Sequence, residues 1–217
     1  MAVGFGVATA NAQLSGSVSA VSDYRFRGVT LSDDAPAVQA ALLYDFSSGL
    51  YVGGFASTVR LAPDFTTGLQ ALGLVGYALR GPGNVSWDVG ALYTDFSKPG
   101  GLGYSDFHVG AADTEWSARL SYAPRYFGQP YSATYVELNL TPFSGGKWTP
   151  LLHVGWLAQN PAPPYGPRSR WDGRIGFAYN FEVVTLQLSW VAASSAASEA
   201  YGQRKSTWVL RATAWLP

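Results

Sequence analysis

Cysteine is absent from this 217-residue chain. Its absence excludes disulfide scaffolds, thiolate metal sites and cysteine nucleophiles together. A secreted envelope protein that needs no oxidation step fits this composition, and so does a cysteine-free cytosolic protein. The lack of cysteine therefore excludes several kinds of site but does not indicate the cellular compartment of the protein.

Charged residues are scarce, at 13% of the chain, against about 25% in ordinary soluble domains. The 14 basic and 14 acidic residues balance to zero net charge, so no nucleic-acid partner is expected. Aromatic residues, by contrast, make up 15% of the chain. Because soluble proteins need charge at their surface, this balance indicates a surface that is not wholly aqueous.

Long hydrophobic runs are also missing, since no segment reaches the roughly 18 to 20 apolar residues that a membrane helix needs. The longest candidate, GLQALGLVGYALR at 68–80, is too short and contains three glycines. A transmembrane helix is therefore excluded, whereas a transmembrane barrel is not.

The chain begins with small and apolar residues, followed by Ala10-Asn11-Ala12, which has the A-x-A form of a signal-peptide cleavage site. The positively charged region that normally opens a signal peptide is missing, so a simple alanine-rich tail is the alternative. We predict that residues 1–12 are a signal-peptide remnant and that residues 13–217 form one domain.

Alternation of apolar and polar residues with period two runs through the chain, as in VVTLQLSWVA at 183–192. Such alternation is typical of strands, and segments of about ten residues cross a bilayer as tilted strands. Twelve strands are predicted, at 14–27, 37–46, 50–61, 68–80, 84–95, 104–112, 115–125, 131–141, 147–158, 169–181, 183–193 and 204–216.

The connections between these segments alternate between short and long, as the periplasmic turns and extracellular loops of outer-membrane barrels do. The sequence therefore predicts an all-β fold, a transmembrane antiparallel up-and-down barrel of about 12 strands. A soluble sandwich or lipocalin-like barrel is the alternative. Its outward polar faces should be rich in Lys and Glu, whereas the polar faces here carry mainly Ser, Thr, Gly, Gln and Ala.

Several stretches carry a family resemblance: SDYRFRGVTLSDDAPAVQAALLYDF, GLYVGGFAS, LSYAPRYFG, ATYVELNLTP and LLHVGW, in this order between about Leu14 and Ala193. Together they resemble the TorF family of porin-like proteobacterial proteins of unknown function. The most specific elements are the aromatic-Arg-aromatic-Arg-Gly core at Tyr24 to Gly28 and the Asp-x-Pro at Asp34 to Pro36. The resemblance implies a barrel in the outer membrane of a Gram-negative bacterium.

Strand parity predicts which side chains line the lumen, because a charge on the lipid face costs about 2 to 4 kcal/mol at mid-bilayer. Tyr24 and Phe26 are accordingly expected to face lipid. The pore-lining candidates are Asp23, Arg25, Arg27, Asp45, Arg60, Asp88, His108, Glu115, Arg119, Glu137, His153, Asp172, Arg174 and Arg211. Small residues expected inside the lumen are Ser15, Ser17, Ser19, Gly54, Ala56, Gly90, Gly110 and Gly176.

Three functions remain open. In a porin-like channel, arginines opposite carboxylates would select small polar or ionic solutes. In an occluded barrel, the same charges would form a structural network, since twelve strands lie between filled and channel-forming sizes. A lipid hydrolase would need a serine beside His108 or His153, and neither lies in a recognisable motif.

The porin-like channel is our prediction, without catalysis, cofactor or bound metal. Its expected partners are outer-membrane lipid and lipopolysaccharide, the barrel-assembly machinery during insertion, and small solutes. Oligomerisation stays possible.

Overall fold

The computed structural model describes residues 13–62, 65–81, 84–143, 146–164, 166–194 and 203–216. The predicted signal-peptide remnant at 1–12 lies outside these residues. In the described part of the chain, no helix is long and apolar enough to cross a membrane.

Strands account for most of the described chain. They are β1 (Gln13–Val21), β2 (Arg25–Phe26), β3 (Val29–Thr30), β4 (Ala37–Asp45), β5 (Leu50–Arg60), β6 (Thr67–Arg80), β7 (Ser86–Phe96), β8 (Tyr104–Ala112), β9 (Trp116–Ala123), β10 (Ser132–Leu140), β11 (Trp148–Asn160), β12 (Ser169–Asn180), β13 (Val184–Ala193) and β14 (Ser206–Leu216). A short 3-10 turn, Tyr126–Gly128, lies between β9 and β10.

Twelve of these strands form a closed antiparallel barrel, and β2 and β3 form a separate hairpin. Each barrel strand pairs with its neighbours along the chain, and pairing of β1 with β14 closes the ring. Closure leaves no unpaired strand edge, which is the condition for a sheet to cross a bilayer. The predicted fold class is confirmed, and so is the position of each predicted strand except the end of the first.

The two ends of the barrel differ in their connections. Connections of three to seven residues, at 46–49, 81–85, 113–115, 141–147 and 181–183, define what we call the turn end, where β1 also begins. Connections of six to fifteen residues, at 22–36, 61–66, 97–103, 124–131, 161–168 and 194–205, define the loop end. This alternation is that of an outer-membrane barrel.

Polarity is distributed inside-out around the barrel. Large apolar side chains on the outer face are half exposed, among them Val89, Ile175 and Trp208. On the inner face, Thr94 and Ser189 have no exposed surface. A water-soluble barrel would show the reverse arrangement, whereas an apolar band around a polar interior suits a hydrocarbon environment.

Exposed aromatic rings gather near both ends of the barrel. Trp148 packs on Tyr179 with ring centroids 4.7 Å apart at the turn end. Trp190 packs on Trp208 at 5.5 Å nearer the loop end. Such rings are typical of the interface between hydrocarbon and headgroups.

The prediction for the first strand was wrong beyond Val21. A continuous strand over 14–27 would point Tyr24 and Phe26 to lipid, but β1 ends at Val21 and residues 22–36 fold into the barrel. Tyr24 is 4% exposed, and Phe26 packs against the interior cluster. Alternation along the sequence cannot distinguish a strand that continues from a loop that turns inward.

Parity was also wrong along β5. Its inner face carries Tyr51, Phe55 and Val59, all buried, so Gly54, Ala56 and Arg60 lie on the outer face. Both faces of this strand are apolar or small, which leaves the phase of the alternation undetermined by sequence. Arg60 is the last residue of the strand at the loop end, where an outward charge avoids mid-bilayer hydrocarbon.

Candidate functional site in the barrel lumen

The interior of the loop end is occupied by residues 22–36, which we call the plug segment. Within it, β2 and β3 pair Arg25 with Thr30 and Phe26 with Val29. The two residues between them, Arg27 and Gly28, have φ of 48° and 79°. Positive φ at both central residues is the geometry of a type I′ hairpin turn, whose twist matches that of the paired strands.

The tip of the hairpin touches the barrel wall. A Cβ placed on Gly28 would lie 2.5 Å from the Cβ of Asp172 on β12 and 2.9 Å from the Cβ of Ala193 on β13. No larger residue fits between the turn and these strands without a shift. The glycine of the aromatic-Arg-aromatic-Arg-Gly core is therefore needed both for its φ and for close approach.

Arg27 crosses the lumen to the far wall. Its guanidinium donates to Asp106 on β8 at 2.7 Å, and both side chains are at least nine-tenths buried. The guanidinium carbon also lies 4.6 Å from the ring centroid of Tyr135 and 5.4 Å from that of Tyr126. A charge pair and two aromatic faces thus hold the tip of the plug segment in place.

The base of the plug segment is held by a polar network. The carboxylate of Asp23 accepts hydrogen bonds from Arg25 Nε at 2.5 Å and from the Thr30 hydroxyl at 2.6 Å. Arg25 also pairs with Asp34 at 2.7 Å and donates to the backbone carbonyl of Arg204 at 2.7 Å. Three residues predicted to line a pore, Asp23, Arg25 and Arg27, therefore fold and anchor the plug segment.

Apolar packing completes the filling of the loop end. Tyr24 and Leu31 of the plug segment join a buried cluster with Val59, Phe96 and Leu157 from the strands. Burial raises the pKa of the Tyr24 phenol well above its ordinary value, so this side chain is neutral. The barrel thus has a hydrophobic core like that of a soluble protein, confined to the loop-end half of its interior.

Two tyrosine-histidine-aspartate clusters lie on the inner wall. In the first, His108 Nε2 lies 2.8 Å from Asp88 Oδ2, and the Tyr51 hydroxyl lies 3.0 Å from the same oxygen. The hydroxyl is also 3.2 Å from His108 Nε2. Arg119 Nη2 approaches Asp88 at 3.7 Å, so the carboxylate meets a phenol, an imidazole and a guanidinium.

The second cluster repeats this arrangement on β10 to β12. His153 Nε2 lies 3.0 Å from Asp172 Oδ1, and the Tyr135 hydroxyl lies 3.1 Å from Asp172 Oδ2. The other ring nitrogen, Nδ1, lies 2.8 Å from Asn139 Oδ1 and 3.8 Å from Glu137 Oε2. In both clusters the histidine thus contacts a phenol and a carboxylate through its Nε2.

Each tyrosine lies across a glycine on an adjacent strand. A Cβ on Gly76 would overlap the Tyr51 hydroxyl, and a Cβ on Gly155 would overlap that of Tyr135. Because these glycines have no side chain, each tyrosine can lie over the adjacent strand and reach its carboxylate.

Histidines hydrogen-bonded to carboxylates also occur in the catalytic sites of hydrolases. A serine hydrolase needs a hydroxyl nucleophile hydrogen-bonded to the histidine. Among the described residues, neither His108 nor His153 makes a hydrogen bond to a serine or threonine hydroxyl. The described residues also bring together no group of three His, Cys, Asp or Glu side chains that could hold a metal. Within the described part of the chain, the clusters therefore lack the hydroxyl nucleophile arrangement of a serine hydrolase.

The other inward charges are distributed over several strands. Arg119 on β9 faces Glu137 on β10 in the strand register, and His153 faces Arg174. Arg211 on β14 lies opposite Gln187 on β13. The candidates found on the inner face are Asp45, Asp88, His108, Arg119, Glu137, His153, Asp172, Arg174 and Arg211. Whether they line an open path for solutes stays a prediction.

Two candidates lie elsewhere. Arg60 is on the outer face of β5, as described above. Glu115 is exposed in the turn before β9, where its carboxylate accepts a hydrogen bond from the backbone N–H of Phe143 at 3.1 Å. It was predicted inward because its parity matches that of Arg119, but the strand begins only at Trp116.

Among the interior side chains that sequence reasoning missed are Tyr51, Asp106, Tyr135 and Arg170. Asp106 shares the parity of His108, Tyr135 that of Glu137 and Arg170 that of Asp172, so the alternation contained the signal for these three. Tyr51 carried no such signal, because apolar or small residues occupy both faces of β5.

Comparisons with known proteins agree with this architecture. A family model described as "Bacterial protein of unknown function (Gcw_chp)" matches residues 6–216. No curated protein matches the sequence. The chain superposes on the KdgM porin with a TM-score of 0.59 and 9% identity, covering 92% of this chain and 98% of that one.

Two further solved structures share the fold. The NanC porin aligns with a TM-score of 0.57 and 11% identity, covering 94% of this chain and all of that chain, 100%. A structure described as KdgM porin in complex with disordered oligogalacturonate aligns at 0.57 and 8% identity, covering 93% and 98% of the two chains. At these identities the likeness concerns the fold: a porin-like barrel of the outer-membrane type.

Proposed function

Since the chain belongs to the Gcw_chp family of bacterial proteins of unknown function, we propose a function from the geometry of its lumen. The protein is a porin-like channel of the Gram-negative outer membrane that passes small polar or ionic solutes by diffusion. The plug segment forms the narrowest part of the path. The loop end faces outward and the turn end faces the periplasm, as in other barrels of this type.

One observation carries the proposal: charges of both signs lie on the inner wall of a barrel whose outer wall is apolar. Arg119 opposite Glu137, with Asp88 close by, sets a guanidinium between two carboxylates. Such an arrangement creates a field across the lumen that favours polar or ionic solutes over apolar ones. That a KdgM porin structure is described with oligogalacturonate supports passage or binding of a solute in this architecture.

Planar-bilayer recording tests the proposal. Refolded wild-type protein should show conductance above background. A variant in which residues 24–31 are replaced by a short Gly-Ser linker should conduct more, because the filled half of the lumen is opened. Silence of both proteins, each shown to be folded and inserted, would contradict it.

A second candidate is an occluded barrel that supports an envelope assembly. The buried cluster around Tyr24 and Leu31, which fills the loop end, favours it. In this case the wild type would be silent, the linker variant would conduct, and a stoichiometric partner would co-purify with the wild type.

We also propose kinship with the TorF proteins, supported by the motif from Ser22 to Phe46. Outer-membrane lipid, lipopolysaccharide and the barrel-assembly machinery are the proposed partners in the envelope.

A further inference from the structure

A cavity of about 270 Å³ lies at the loop end, between the plug segment and the connections that surround it. Thr30 and Leu31 of the plug segment form one side. Tyr126, Phe127 and Arg170 contribute from the 3-10 turn and from β12. Because the cavity opens at the loop end, a solute can reach it without passing through the lumen.

Arg170 lines this cavity, and none of the described residues supplies a counter-charge to it. It is 8% exposed, and within the described part of the chain its Nε has no hydrogen-bond partner. No carboxylate of the described residues forms an ion pair with it, whereas Arg25 pairs with two carboxylates and Arg27 with one. A buried guanidinium without a counter-charge carries a large desolvation cost, which an anion in the cavity would offset.

Tyr126 also lines the cavity, and its hydroxyl has no hydrogen-bond partner among the described residues. The residue is 3% exposed. Tyr131 and Gln159 also line the cavity. Burial raises the pKa of Tyr131, while the nearby Arg170 charge acts in the opposite direction, which agrees with a guanidinium close to this phenol.

The remaining walls are largely apolar. Leu31, Leu61, Phe127 and Pro163 contribute apolar surface to the same cavity. A guanidinium matches a carboxylate in geometry and charge, and a phenol can donate to the same group. The volume is below the roughly 300 to 1,000 Å³ of pockets for drug-sized ligands, so the occupant must be small.

We propose that this cavity binds a small organic monocarboxylate, with the carboxylate on Arg170 and Tyr126 and the apolar body against Leu31 and Phe127. The site does not rest on conduction through the lumen. It can be assayed in detergent, so its failure and the failure of the channel proposal are distinguishable.

Calorimetric titration of the full chain in detergent micelles tests the site, with benzoate as probe and neutral benzamide as its isostere. Benzoate should bind the wild type, and Arg170→Gln should weaken binding about tenfold or more, the value of a charge-assisted hydrogen bond. Benzamide should bind both proteins equally weakly. Arg125→Gln, at an exposed arginine of the same end, removes the same charge and should leave benzoate binding unchanged.

Tyr126→Phe keeps the ring and removes only the hydroxyl, so it provides a test if Arg170→Gln does not fold. It should weaken benzoate binding about three- to tenfold. Equal binding of benzoate and benzamide to the wild type would overturn the proposal. So would unchanged benzoate affinity in folded Arg170→Gln, or the same loss in Arg125→Gln as in Arg170→Gln.

Discussion

The two halves of the barrel interior are built on different principles. At the loop end, the plug segment and the strand side chains pack into a buried cluster that contains Tyr24, Val59 and Leu157. Toward the turn end, inward residues such as Ser17, Leu43 and Arg119 stay partly exposed. One half resembles the core of a soluble protein and the other the wall of an aqueous passage. The barrel therefore combines a packed loop end, which we call the closure, with a more polar and less buried turn end.

The largest effect on the packed loop end is expected when Asp106, the ion-pair partner of Arg27, is removed. Asp106→Leu leaves a buried guanidinium unpaired, and breaking a buried pair costs about 3 to 5 kcal/mol. We expect the plug segment to leave the lumen and the bilayer conductance to rise. Glu182→Gln, at an exposed turn-end carboxylate, is the control and should behave as wild type. A folded Asp106→Leu protein with unchanged conductance would show that this ion pair does not hold the closure.

Gly28→Ala should loosen the closure by a separate route. Its Cβ overlaps the wall at Asp172, and its left-handed backbone costs about 1 to 2 kcal/mol for a residue with a side chain. Conductance should rise less than in Asp106→Leu, and the midpoint of urea unfolding should fall. Gly100→Ala is the matched control, because a Cβ there meets nothing within 4 Å. Equal behaviour of the two variants would contradict the close approach of the hairpin tip.

Substitutions in the two tyrosine-histidine-aspartate clusters should lower the free energy of unfolding more than they disturb the packing of the plug segment. Tyr135→Phe removes a donor from the buried Asp172 carboxylate, which costs about 1 to 3 kcal/mol in the free energy of unfolding. Each carboxylate keeps its histidine in these variants, but Tyr51→Phe should cost less because Asp88 also keeps the approach of Arg119 and is less buried than Asp172. Denaturant unfolding of both variants measures the order. A larger loss in Tyr51→Phe would contradict this ranking.

The smallest expected effect is on ion selectivity, which should respond to a charge on the inner wall and not to one on the outer wall. Arg119→Gln should shift ion selectivity toward cations, since a positive charge leaves the lumen. Arg60→Gln, which removes an outward charge at the loop end, should leave selectivity unchanged. Reversal potentials in a salt gradient compare the two variants. An equal shift in both would contradict the outward position of Arg60.

The fold was predictable because alternation is a local property. Twelve segments of about ten residues, with few charges and alternating connection lengths, allow few other arrangements. The inward placement of Asp88, Glu137 and Asp172 followed from the same pattern, since charges avoid hydrocarbon. Parity failed along β5, where small and apolar residues occupy both faces.

The sequence by itself determined a closed barrel with an apolar exterior and a polar lumen. Each strand must place apolar side chains toward lipid, and this requirement appears in the sequence of every strand independently. Only the tertiary structure decided that Tyr24 to Gly28 turns inward, since this depends on a glycine meeting Asp172 and an arginine meeting Asp106 from distant strands. It likewise placed Arg170 at a cavity where none of the described residues supplies a partner for its Nε. Contacts between residues so far apart in the chain do not produce a periodic pattern in the sequence.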